Sequence, residues 1–172
     1  MTRAVSALSL LLGLLARLVV LLAGLALVGL LVITGWMVFG RYVLNDTPTW
    51  VERAALLTIL FVALQVAAVG VRERFHMAVE LVPAALPGRL RAAVGVVVEV
   101  LLFCFGLVML IWAQTLASMM WGFNIPLLGL PQGLQFVPMM LCGGLTALFA
   151  AEHLLRRAAG LPPPGQGEAA PE

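Results

Sequence analysis

Apolar and polar positions in this chain segregate into long blocks instead of alternating or recurring every few residues. Residues 18–40 carry no charge over 23 consecutive positions, and at about 1.5 Å per residue that is roughly 34 Å of helix. A hydrocarbon core about 30 Å thick takes around 20 apolar residues, so this run crosses it with some tilt. Ala54–Val71 is a second uncharged run, of 18 residues, with Thr58 and Gln65 as its main polar members. From Val100 to Ala151 no charge occurs for 52 positions, too many for one crossing. That stretch breaks at Trp121-Gly122-Phe123-Asn124-Ile125-Pro126 and again at Gly129-Leu130-Pro131-Gln132-Gly133, both turn signals. A third span near residues 96–119 and a fourth near 134–154 remain. Only helices and closed barrels satisfy the backbone in lipid, and these runs are too long for barrel strands. The pattern predicts an all-α integral membrane protein with four transmembrane helices.

Composition agrees. The chain of 172 residues is 63% hydrophobic, against roughly 45–50% for a soluble domain, and only 10% charged. So little charge does not keep a protein of this size dispersed in water, which excludes a soluble enzyme. Its basic residues are ten arginines with no lysine, scattered between the apolar runs. A formal charge of +2 distributed this way does not describe a nucleic-acid binder. Cys104 and Cys142 lie far apart in apolar surroundings, with neither metal-ligand nor redox spacing.

Three segments outside the spans bear on the topology. Residues 1–17 begin with one Arg and Leu-rich sequence in the manner of a signal peptide. Arg17 interrupts the run and a full-length apolar stretch follows, so they read as a cytoplasmic or interfacial lead-in to a transmembrane domain over 18–157. Residues 158–172, rich in Pro, Gly and Glu, read as a disordered cytoplasmic tail. Between the second and third spans, Val79, Val82 and Leu86 form one apolar stripe that Pro83, Pro87 and Gly88 keep short. With Arg72, Arg74, Arg89 and Arg91 flanking it, this segment suits a short interfacial helix, the alternative being an irregular loop. Four spans put both termini and this connection on one side. That side collects eight arginines against two, Arg41 and Arg53, on the other. The excess of positive charge places both termini in the cytoplasm.

Candidate chemistry is sparse. Glu99 reads as the only acid near the body of a span. With a span centred near Leu110 it lies about 16 Å from the centre and reads as an interfacial or helix-facing carboxylate rather than an ion site; with the centre nearer residue 107 it would be more deeply buried and need a partner. His76 and His153 fall just outside spans, away from where a haem iron would need them. Gln65, Gln114, Thr115 and Ser118 are polar positions within spans and read as interhelical hydrogen-bonding groups. No nucleophile, phosphate-loop or metalloprotease spacing occurs, and no repeat symmetry of the kind that marks a self-sufficient carrier. No cofactor is expected. In the first connection, Tyr42 and Trp50 suit the aromatic belt at a membrane interface. Thr49 and Glu52 have the spacing of a capping box at the start of the second helix, while Arg41 offers Glu52 an alternative charge partner.

Three stretches resemble the small membrane subunit, DctQ-like, of the tripartite ATP-independent periplasmic (TRAP) transporters. The first is Arg41-Tyr42-Val43-Leu44-Asn45, then Pro48, then Trp50 and Glu52. The second is Arg74-Phe75-His76-Met77-Ala78-Val79-Glu80, followed by Leu86-Pro87 and Arg89. Here the family more often has Asp at the position of Glu80 and Gly at that of Phe75. The third is the Pro/Gly-rich turn from Ile125 to Pro131. The match covers about residues 15–157 and rests on the order and spacing of these stretches. It implies a small permease subunit of a secondary transporter in a bacterial inner membrane. Such a subunit scaffolds a large sodium-coupled permease that takes up organic acids delivered by a periplasmic binding protein. The resemblance also implies that Arg41, Tyr42, Asn45, Pro48, Trp50, Glu52, Arg74, His76 and Glu80 are family-motif or subunit-interface positions. The implied partners are the large permease subunit, the binding protein and membrane lipid. Two other readings compete: a four-helix membrane anchor of a redox complex, and an independent small carrier coupled through Glu99.

Overall fold

The computed structural model describes residues 2–46, 48–73, 88–126 and 128–158, with side chains described from Ser9 and, in the third helix, from Ala93. Four helices follow one another: α1 (Thr2–Tyr42), α2 (Trp50–Arg72), α3 (Gly88–Met120) and α4 (Val137–Ala158). A 3-10 turn over Gln132–Phe136 leads into α4. Each of the four is long and apolar enough to cross a membrane, and no strand occurs among the described residues. The expected interfacial helix between the second and third spans falls outside the described residues, as does the expected tail beyond Ala158.

α1 is longer than a membrane is thick. Its 41 residues extend about 61 Å, and the helix runs unbroken through position 17. Leu12 and Ala16 are buried in a core cluster with Ala68 and Val69 of α2 and with Cys142, Leu145 and Phe149 of α4. Leu12 and Ala16, which precede the expected first span, therefore help to build the packed interior.

The helices stand in the order α1, α2, α4, α3, because α4 packs on both α2 and α3 while α1 packs mainly on α2. α4 buries 44% of its span positions against 6% for α1. Its central place has a steric cause. A Cβ added to Gly106 of α3 would lie 2.7 Å from the Ala147 nitrogen and 2.8 Å from the Gly143 carbonyl oxygen. One added to Gly143 would lie 2.7 Å from the Leu110 nitrogen. Two backbones touch here through glycine. In lipid, where no hydrophobic force draws apolar helices together, such close approach supplies the dispersion and Cα–H···O contacts that hold them.

Gln65 is the polar side chain buried in the body of α2, with 2% of its surface exposed. It donates from Nε2 to the Pro138 carbonyl oxygen at 3.3 Å, linking α2 to the first turn of α4. The hydroxyls of Thr34 and Thr58 return to their own helices, donating to the carbonyls four residues back. At the far end the turn signals become a closed loop. Ile125 donates to Leu130 at 2.7 Å, Gln132 donates to Phe123 at 2.7 Å, and Gly129 takes a left-handed φ of 64°.

Candidate functional site

Two places gather most of the charged residues of the described chain, at opposite ends of α2. At the α1–α2 turn, α1 ends with Val43 donating to the Phe39 carbonyl at 2.8 Å. Asn45 then adopts a left-handed φ of 52°, a conformation that asparagine tolerates and branched residues resist. This reversal lets the Asp46 amide donate to the Gly40 carbonyl at 3.1 Å. Pro48 packs over Gly40, where an added Cβ would meet the Asp46 carbonyl oxygen at 2.9 Å and the Pro48 ring at 3.3 Å. Asn45 and Pro48 thus shape a tight turn.

The other motif residues of this turn are placed differently. Arg41, Tyr42, Trp50 and Glu52 are all exposed. Thr49 has helical backbone angles, φ −63° and ψ −19°, and makes no side-chain cap hydrogen bond. An N-cap residue that accepts a helix N–H typically has extended backbone; here the Val51 amide donates to the Pro48 carbonyl at 3.1 Å instead. Among the described residues no ion pair joins Arg41 to Glu52. Arg74, His76 and Glu80 lie outside the described residues. Asn45→Val is expected to lower thermal stability in detergent by about 1–2 kcal/mol, whereas Asn45→Gly keeps the wild-type value. Equal losses in both would mean that the left-handed turn does not matter.

The second place is a buried charged belt where α2 and α4 end. Arg72, the last residue of α2, donates from Nε to Glu152 Oε2 of α4 at 3.3 Å. The same guanidinium donates from Nη2 to the Ser9 carbonyl of α1 at 3.2 Å and stands 5.8 Å from the centre of the Phe149 ring. One turn beyond Glu152, Arg156 Nη1 lies 3.5 Å from Glu152 Oε1. Arg157 Nη2 reaches across to Glu99 Oε1 of α3 at 3.2 Å, crossing Gly95, where a Cβ would stand 2.6 Å from the guanidinium. His153 Nε2 lies 3.1 Å from the Arg72 carbonyl. A carbonyl only accepts, so the ring donates there and satisfies a carbonyl left open by the end of α2.

All four helices meet in this belt. Arg72, Arg156 and Arg157 occupy the last turns of their helices, where the helix dipole favours positive charge. The Glu152 side chain is 1% exposed. A carboxylate at that depth is sustained by the guanidiniums on either side of it.

Glu99 is not alone as an acid at the edge of a span. Glu152 lies inside the fourth run and is the more buried carboxylate of the two, 2% exposed against 6%. Its spacing of four to Arg156 is the sequence signal that marks it. His153, expected just outside a span, lies instead within α4 and is buried beside Glu152. Arg72 carries no such local signal, since its partners are 63 and 80 positions away. No group of three or more His, Cys, Asp or Glu side chains comes together among the described residues. Cys104 is exposed and Cys142 buried, both as free thiols.

No curated protein matches the chain in sequence. Residues 30–160, more than two thirds of the chain, match the family described as tripartite ATP-independent periplasmic transporters, DctQ component. That stretch runs from within α1 to the end of α4 and contains the α1–α2 turn, the glycine contact and the belt from Arg72 to Arg157. With four helices able to cross a membrane, and in a family of transporter components rather than enzymes, the chain belongs to the DctQ component of the tripartite ATP-independent periplasmic transporters.

Proposed function

We propose that this chain is a static scaffold for the large permease of its transporter, which takes up organic acids by sodium coupling after a periplasmic binding protein delivers them. The observation that carries the scaffold reading is the charged belt. Arg72, Glu152 and Arg156, together with the Glu99–Arg157 pair, tie helices to one another near one end of the bundle. A carrier working alone needs ion-binding or substrate-binding groups near the middle of its spans, commonly on interrupted helices. The described α1, α2 and α3 are continuous, and Gln65 is engaged between α2 and α4. In this reading both termini and the belt face the cytoplasm, and the α1–α2 and α3–α4 turns face the periplasm.

Reconstitution tests the role. The chain alone should give no sodium-driven uptake of any organic acid, and uptake should appear when the large permease and binding protein are added. Uptake by the chain alone would establish an independent carrier instead. Orientation is read with single cysteines in a chain lacking Cys104 and Cys142. After outer-membrane permeabilisation, an impermeant maleimide should label Asp46→Cys and Gln132→Cys but not Arg91→Cys or Gly165→Cys. The reverse pattern would invert the topology.

A further inference from the structure

We infer that one flank of α3, marked by Gln114, Thr115 and Ser118, is the face against which a transmembrane helix of the large permease packs. This deepens the scaffold reading and rests on it. The described α-helices contain two amide side chains, Gln65 and Gln114. The fold buries Gln65 and gives it the Pro138 carbonyl. Gln114 stays exposed on α3 and makes no hydrogen bond among the described residues. Its position is seven residues before Trp121, about 10 Å further into the span, and exposed Trp121 suits the interface level. Acyl chains offer nothing to two N–H donors and a carbonyl, so an amide there calls for a protein partner.

Its neighbours make this flank distinct. At about 100° per residue, Ser118 lies roughly 40° and Thr115 roughly 100° around the helix from Gln114. Thr115 donates to the Ile111 carbonyl at 3.0 Å and Ser118 to the Thr115 carbonyl at 2.7 Å. Both hydroxyls therefore keep lone pairs to offer a neighbour. On one side of this arc runs the stripe that α4 covers, through Gly106, Ala113 and Ala117. On the other side, about 120–180° from Gln114, stand Leu101, Phe105, Trp112 and Met119, all more than 60% exposed. That flank is purely apolar and suits lipid. Leu107 and Ile111 stand on the same side as Gln114, about 20° and 60° from it, so the polar flank is confined to the last two turns of α3, and there the side with hydrogen-bonding groups asks for a helix.

A helix of the large permease that presents a hydroxyl, amide or carbonyl at the depth of Gln114 satisfies this flank. A photoreactive phenylalanine analogue placed singly along α3 of the full chain, co-expressed with the large permease, tests the assignment in membranes. Positions 107 and 118, on the side of Gln114, should give adducts with the large permease; positions 105 and 112, on the apolar flank, should give none. Gln114→Leu should reduce the co-purified permease roughly three- to thirty-fold, the range expected for one interhelical hydrogen bond. Its amount in the membrane should not fall, because leucine inserts more readily than glutamine. Adducts from 105 and 112 instead, adducts between two copies of this chain, or wild-type co-purification of Gln114→Leu would each overturn the face while leaving the subunit reading intact. A wild-type chain that brings down no large permease would overturn the subunit reading, and this inference with it.

Discussion

Glu152→Ala is expected to cost about 3–5 kcal/mol of stability, the penalty for leaving a buried charge without its partner. Arg72 would keep only the Ser9 carbonyl and the Phe149 ring, too little for a guanidinium whose side chain is 13% exposed. Arg156 would also lose the carboxylate one turn before it. The cost belongs to the orphaned charge more than to the bond, and that distinction can be measured. Replacing both partners with apolar residues of similar length, Arg72→Met with Glu152→Met, should recover much of what either change loses alone. Glu152→Gln should fall between, since its amide oxygen still accepts from Arg72. Thermal unfolding in detergent, followed by tryptophan fluorescence, provides the readout. Wild-type stability in Glu152→Ala would mean that the belt does not fasten the helices, and the case for a static scaffold would lose its support.

Gly143→Val should be as damaging by a different route. Its Cβ would sit 2.7 Å from the Leu110 nitrogen and 2.8 Å from the Gly106 carbonyl oxygen. These are backbone atoms of a helix, with no rotamer to change, so α3 and α4 must move apart. Overpacking typically costs about 1–3 kcal/mol. Here the separation also forfeits the close contacts that substitute for a hydrophobic force in lipid. Because α2 and α3 both pack on α4, the whole arrangement should loosen, with lower yield and faster proteolysis in detergent. The adjacent glycine is the control. A Cβ on Gly144 meets only the Leu110 Cδ1 at 3.8 Å, ordinary contact with a movable side chain. Gly144→Ala should be neutral, or stabilising by up to about 1 kcal/mol through helix propensity. Equal damage at both positions would show that the α3–α4 contact is not what Gly143 provides.

The four spans, the approximate bounds of the last three, and the α1–α2 and α3–α4 turns were legible in the chain alone, whereas α1 begins well before the expected residue 18. A membrane forces each span to satisfy its own backbone and to be apolar over about 20 residues, and both demands are written locally. Family membership was legible for a related reason: Asn45 and Pro48 shape a turn through backbone preferences that travel with residue type. The local signal misled where one constraint met another. Thr49 and Glu52 have the spacing of a capping box, but Pro48 closes the start of α2 first and leaves Thr49 with helical angles.

Only the tertiary structure decided which helices touch. Nothing near Arg72 in the sequence announces Glu152 or Ser9, and nothing near Gly106 announces Gly143. These partners meet because α4 lies between α2 and α3, and that placement is set by backbone contacts through glycine that no hydropathy pattern records. It also separated two glutamines that the sequence presents alike: Gln65 falls on the side of α2 that α4 covers, and Gln114 on a side of α3 that no described helix reaches. In lipid a span is largely apolar around its circumference, so hydropathy alone does not say which face is inside; that is settled by which surfaces come close enough to exclude acyl chains.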